Sequence, residues 1–241
     1  MQSLLYREFV PWYLLLDRPE DHEDEALCFQ TAFERAVSPR PETLLELGSG
    51  AGNNALHLKR RFTCTLTDLS DDMLTLSRQQ NPDCEHFLGD LRTLRLGRTF
   101  DAVLVHDAVT YMLTEEDLFA AAQTAFLHTR PGGAAIFAPD CYRETFQDST
   151  DPVSSDEGSR SLRGLIWSWD PDPADSTTVT EYAFLLRDGT DLKAVHDRHV
   201  EGLFPRETWH RVLTRAGFRV ETIQRPIGDG EFDDIFLCRR P

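Results

Sequence analysis

Between Thr43 and Ala138 the chain alternates short apolar, β-branched runs with helical stretches, and no other feature limits its fold as tightly. TLLELGSG reads as a buried strand running into a glycine turn, and Ala55–Arg61 as the helix that follows. TCTLTDLS is a second strand, Asp71–Gln79 a second helix and Cys84–Leu88 a third strand. FDAVLVHDAV is a fourth. Thr114, with Asp117 three residues on, opens a helix through about His128. Pro131-Gly132-Gly133 reads as a turn and AAIFAP as a fifth strand. Strands separated by helices pair in parallel through right-handed crossovers, so the sheet is doubly wound and covered on both faces.

The flanks read differently. Residues 1–40 form helical pieces broken near Pro19, expected as a lid, and residues 41–140 the ligand-binding core. Gln147–Ser161 is polar and rich in Ser and Asp, which predicts a mobile surface loop. LRGLIWSWD, TTVTEYAFLLRDG and LKAVHDRHVEGLF follow without helices between them and predict antiparallel strands. Residues 141–204 therefore form an inserted substrate layer, expected over the carboxyl ends of strands four and five. Residues 205–241 supply a helix over Pro205–Ala216, closed by Gly217, and a terminal antiparallel pair that completes the core.

Charge and cysteines limit the partners. A net charge of −16, from 41 acidic and 25 basic residues, repels phosphate backbones and anionic membranes at long range. The expectation is no nucleic acid and no membrane, with room left for a homodimer. Five cysteines without a C-x-x-C pair or zinc spacing suit reduced thiols in a cytoplasmic protein. Arg7, Glu8, Pro11 and Asp17 interrupt the N-terminal apolar patches, which argues against a signal peptide or a span.

The glycine turn, ELGSGAG at 46–52, leaves the first strand where open α/β sheets bind ligands. A dinucleotide fingerprint would need a third glycine at 53, where Asn53 stands, and Glu46 would repel a pyrophosphate. Glu46 suits a cationic amine instead. Asp68 ends the second strand, 20 residues after Gly48, where a carboxylate accepts from ribose hydroxyls. Asp90, after the third strand, can accept from an exocyclic amine while Leu91 packs on a ring.

With LLELGSGAGNNALHL, TLTDLSDDMLTLSRQ, GDLRTL, FDAVLVHDAVTYM and RPGGAAIFAP in this order, the chain resembles the class I S-adenosylmethionine (SAM) dependent methyltransferases. GDLRTLRLGRTFDAV, ETF at 144–146 and HVEGLFPRETW…AGF resemble the dTDP-aminosugar N,N-dimethyltransferases among them. The resemblance implies a Rossmann-like, mostly parallel seven-stranded sheet and SAM as cofactor. It implies that Glu46, Gly48, Ser49, Gly50 and Gly52 face the amino-acid end. Asp68 would hold the ribose beside Leu69 and Met73, Asp90 and Leu91 the adenine, and His106 would lie near the sulfonium. The acceptor is then a small molecule, an amine such as an aminosugar. O-methylation, a catalytically silent SAM-binding protein and a nicotinamide oxidoreductase are the alternatives. The Asn/Asp-Pro-Pro-aromatic run of nucleobase amino methylation is absent after the fourth strand, where HDAVTYM stands.

Methyl transfer from a sulfonium needs orientation more than activation, and an amine acceptor must be neutral to attack. His106, His199 and Asp140 are the candidate catalytic residues, and Tyr6, Trp12 and Tyr13 a candidate lid. No metal is expected. His196 and His199 are three apart in a strand and point to opposite faces. The acidic run at 228–234 lacks a calcium loop's ligand ladder and reads as a solvated loop.

Overall fold

The computed structural model describes residues 3–228 and 231–241. The central strand, β1 (Thr43–Leu47), lies between β2 (Thr63–Asp68) and β4 (Phe100–Val105), parallel to both. β3 (Glu85–Leu88) extends the sheet beyond β2, and β5 (Thr129–Phe137) beyond β4. β11 (Glu231–Arg239) joins β5 antiparallel, and β10 (Arg219–Gly228) closes the edge. The order β10-β11-β5-β4-β1-β2-β3 reverses direction between β1 and β4, which opens a crevice at their carboxyl ends.

Alternation along the strands divides the core. Leu45, Leu47, Val103, Val105 and Phe137 face α5 (Glu115–His128) and α6 (Arg206–Arg215). Leu44, Leu66, Leu104 and Ile136 face α2 (Glu23–Ala36) and α3 (Asn53–Leu58). Glu46 lies in register with Leu44, on the α2 and α3 side. Polar caps set the helix starts. Thr114 accepts from the Asp117 amide, and Ser70 from the Met73 amide at the head of α4 (Asp71–Gln80).

The remaining strands form a separate antiparallel sheet, β6 (Ser149–Glu157), β7 (Arg160–Trp169), β8 (Thr177–Asp188) and β9 (Asp191–Gly202). β6 corrects the mobile loop expected at Gln147–Ser161. It pairs with β7 from Ser149↔Ser168 to Glu157↔Arg160. Its polar side chains and Pro152 are tolerated because an edge strand turns one row of backbone groups to water.

The N-terminal segment divides where one lid was expected. Leu5, Phe9 and Leu15, the last on α1 (Tyr13–Leu16), pack against Leu162, Phe184 and Leu186 on the antiparallel sheet. Phe29 and Phe33 of α2 belong instead to the main core. The turn expected at 131–133 is carried inside β5 as a register shift against β4, with Gly132 at φ 75°. Of the acidic run, Glu231–Asp234 lie in β11 rather than a solvated loop; Asp234 pairs with Arg206 at 2.7 Å. Residues 229–230 lie outside the described residues. No described helix is long and apolar enough to cross a membrane.

Candidate active site

A cavity of about 600 Å³ opens at the carboxyl ends of β1, β2, β3 and β4, with the N-terminal segment and β9 as its other walls. That size suits a bound small molecule. The wall from β9 stands against the 3₁₀ turn Asp107–Tyr111 that follows β4, so the antiparallel layer closes the end of the crevice.

At one end lies the glycine turn. Gly48 and Ser49 donate their amides to the Thr67 carbonyl at 2.8 Å each, which ties the turn to β2. Gly48 has φ 77°, and a Cβ there would stand 2.2 Å from the Ala108 Cβ, so no side chain fits. Gly48, Ser49 and Gly50 line the cavity, as does Glu46. Glu46 is 3% exposed, and its Oε2 has no hydrogen-bond partner among the described residues. Burial pushes its carboxyl up to about 8, against the pull of His106 and His22. A buried carboxyl without a partner fits a ligand that brings an ammonium group.

Gly52 and Met73 do not line the cavity. A Cβ at Gly52 would meet Ser77 and Asn81 at 2.5 Å, so this glycine serves the packing of α3 on α4. Met73 is buried behind Gly50.

Asp68 and Leu69 line the cavity, and Leu69 is 55% exposed. The Asp68 carboxylate accepts from the Gly50 amide at 2.9 Å and the Ser70 amide at 2.8 Å, and burial raises its pKa. Its remaining lone pairs are open to ribose hydroxyls. Asp90 and Leu91 also line it, but Asp90 is engaged: Arg92 donates to both carboxylate oxygens at 2.6–3.1 Å and holds its pKa low. Arg92 reaches on to Asp117 at 2.9 Å. An adenine amine at Asp90 would share acceptors with this guanidinium.

His106 lines the cavity behind Glu46, buried and edge-on to Phe29. Its Nε2 lies 2.9 Å from Asp107, 3.1 Å from Glu25 and 2.9 Å from Arg225. Burial opposes its charge, but the two carboxylates prevail and raise its pKa well above the usual range. An imidazole already protonated has no site for an incoming proton, which weighs against His106 as the base. Glu25 continues the network to His22 at 2.6 Å, and His22 to Asp17 at 2.7 Å. Despite burial, these acids lift His22 to about 10. Asn53 and Asn54 pair with Asp17 and Glu25 at 2.9 and 3.0 Å. Sequence reasoning missed this network, because its members come together only through α2, α3 and β10.

The far end is built differently. His199, on the inner face of β9, is 2% exposed, whereas His196 faces outward. Its Nδ1 lies 2.7 Å from the Tyr111 hydroxyl and its Nε2 3.1 Å from Asp197. Ser3 bonds to both His199 and Asp197. Tyr6 meets Tyr111 hydroxyl to hydroxyl at 2.7 Å. Ser3, Tyr6, Tyr13, Tyr111 and His199 line the cavity, so Tyr6 and Tyr13 sit where a lid was expected. Trp12 does not; it lies under the Arg160 guanidinium, 4.3 Å from its ring centre. The missed residues here are Ser3, Tyr111 and Asp197. One signal was available: Asp197, His199 and Glu201 alternate along one strand face. Asp140 does not line the cavity; it stands beside Asp107 and is exposed. Burial raises the Glu201 carboxyl.

Comparison with known proteins agrees with this geometry. Residues 44–133 match a family described as a methyltransferase domain. A dTDP-3-amino-3,4,6-trideoxy-alpha-D-glucopyranose N,N-dimethyltransferase of Streptomyces venezuelae is 34% identical over 221 residues, covering 90% of this chain and 92% of that protein. The crystal structure of DesVI from Streptomyces venezuelae superposes with a TM-score of 0.82 at 28% identity, covering 97% of each chain. SAM-bound CalS10, an amino pentose methyltransferase from Micromonospora echinaspora, gives 0.82 at 24% identity over 100% of each chain and shares the fold.

Proposed function

This chain belongs to the SAM-dependent methyltransferases, in the family of the dTDP-aminosugar N,N-dimethyltransferases, and on that premise we propose that its acceptor is the amine of a nucleotide-linked aminosugar. The observation that carries the reading is one cavity with two unlike ends. Glu46, buried and unpartnered among the described residues, suits the cofactor's ammonium. Asp68 has lone pairs for the ribose, and Leu91 an apolar surface for the adenine. Gly48, Ser49 and Gly50 bring bare backbone to the amino-acid end. Further along, Asp107 lines the cavity; burial opposes its charge, but His106 holds its carboxyl below the usual range, which favours an acceptor that arrives as a cation, hence an amine over a hydroxyl.

The bound cofactor supplies an electrophilic methyl group on a sulfonium. The chain's own work is to position and to dry the site. The β9 wall and Tyr6 limit water beside the acceptor, and His199, in the same lining, is the candidate base. The five cysteines are free thiols, which suits a reducing compartment.

The test is turnover with SAM and dTDP-3-amino-3,4,6-trideoxy-α-D-glucopyranose, the sugar nucleotide of the Streptomyces venezuelae relative, followed by mass spectrometry. A methylated amine and S-adenosylhomocysteine are expected. Cofactor binding without methylation of this or any related sugar amine would refute the acceptor assignment.

A further inference from the structure

We propose that Tyr6, Tyr111 and His199 form a proton relay that deprotonates the acceptor amine, with Tyr6 touching the acceptor, His199 as the terminal base, and Asp197 and Ser3 fixing its tautomer. The inference deepens the reading above and rests on the acceptor being an amine.

The direction follows from counting donors. The Asp197 carboxylate only accepts, and it takes the Leu5 amide at 2.8 Å and the Ser3 hydroxyl. His199 Nε2 faces that carboxylate at 3.1 Å and the Ser3 oxygen, so Nε2 carries the ring proton. Nδ1 is then a bare acceptor, and the Tyr111 hydroxyl 2.7 Å away must donate to it. Having given its only proton, Tyr111 accepts from the Tyr6 hydroxyl at 2.7 Å. Tyr6 in turn has lone pairs left for a cavity ligand. Every hydrogen bond points from the cavity towards His199, in the logic of a base oriented by a carboxylate.

An ammonium acceptor gives its proton to the Tyr6 oxygen while the Tyr6 proton passes to Tyr111 and the Tyr111 proton to Nδ1. The products are a neutral amine and a His199 imidazolium paired with Asp197, and charge is conserved. After methyl transfer the amine leaves as a methylammonium, and the imidazolium's proton returns through Tyr111 and Tyr6 to water in the vacated cavity. Burial raises both tyrosine hydroxyls well above their usual range, so they pass protons without resting as phenolates. Burial opposes the Asp197 charge, but its hydrogen bonds to Ser3, Leu5 and His199 hold it below the usual carboxylate range.

The groups facing His199 are Ser3 and Tyr6 from the N-terminal segment, Tyr111 from the turn after β4, Tyr182 from β8 and Asp197 and Glu201 from its own strand. Glu201 is the rival sink for the proton, bonded to Thr180 at 2.9 Å.

The test is Tyr111→Phe, which keeps the ring and cuts the relay. With the sugar nucleotide used above, kcat at pH 7 should fall by roughly a hundredfold. It should recover as the pH passes the acceptor's own pKa, and S-adenosylhomocysteine affinity should hold. Tyr6→Phe should behave alike. A loss equal at every pH, or no loss, overturns the relay while parent turnover leaves the acceptor reading standing. A parent enzyme that methylates no amine overturns both. Independently of folding in the variants, nitrogen NMR of the parent should show His199 protonated at Nε2 and bare at Nδ1, and the opposite tautomer overturns the relay's direction.

Discussion

Glu46 carries a cost in the free protein that an ammonium ligand at its carboxyl would remove. Its carboxyl, pushed up to about 8 by burial, stays protonated when the same group in the unfolded chain ionises near 4.5. Between those values the unfolded state gains from ionisation, so this residue makes stability fall as pH rises. At pH 7 the penalty is roughly 3 kcal/mol. Glu46→Gln should therefore raise Tm at pH 7, less what an unpaired amide costs, with the gain vanishing near pH 4.5. The same variant should bind S-adenosylhomocysteine about 10- to 100-fold more weakly, because it loses a charge-assisted contact of about 1.5–3 kcal/mol. In the parent, affinity should climb with pH and level off above about 8. Calorimetry and thermal melts across this range check both halves, and an affinity flat in pH would show that Glu46 does not meet the ammonium. At this scale the cavity-lining positions of Glu46 and Asp68 were legible because strand ends and glycines announce them. Ser3 and Tyr111 were not, since their only link to His199 is a long-range contact.

The antiparallel layer and the N-terminal segment behave as one element. Leu162, fully buried, packs with Leu5 and Phe9 in a cluster separate from the two main cores. Leu162→Ala should cost about 2–5 kcal/mol locally. It should speed hydrogen exchange at the Leu5 amide, which donates to Asp197, and lower turnover by unseating Tyr6, while amides of β1 and β4 keep their protection. Equal loss of protection in both sheets would contradict this division. The parallel strands were readable because burial on both faces leaves unbroken apolar runs such as VLV. β6 was not, because Ser149–Glu157 has only Val153 as a large aliphatic residue and reads as polar coil until β7 lies beside it. A polar edge strand and a surface loop share a composition.

Across the whole molecule, two separately packed bodies supply the walls of one cavity. The parallel sheet presents Glu46, Asp68, Leu91 and, on the turn after β4, Tyr111, and the antiparallel layer with the N-terminal segment presents Tyr6 and His199. The alternation of strands and helices foretold the first body almost entirely. The second was legible only as strands without helices, since no local pattern says which face a sheet will turn to a site. Among the anchors between the bodies, Ser70 donates to the Tyr6 carbonyl at 2.5 Å, Asn53 to Asp17 at 2.9 Å, and the Tyr111 hydroxyl lies 2.7 Å from both the Tyr6 hydroxyl and His199 Nδ1. The most direct measurement is a crystal structure with S-adenosylhomocysteine and the aminosugar nucleotide bound together. The expected arrangement has the cofactor's ammonium at Glu46, its ribose at Asp68, and the sugar nitrogen between the sulfur and the Tyr6 hydroxyl. A sugar nitrogen on the Asp90 side of the cavity, away from Tyr6 and Tyr111, would contradict it.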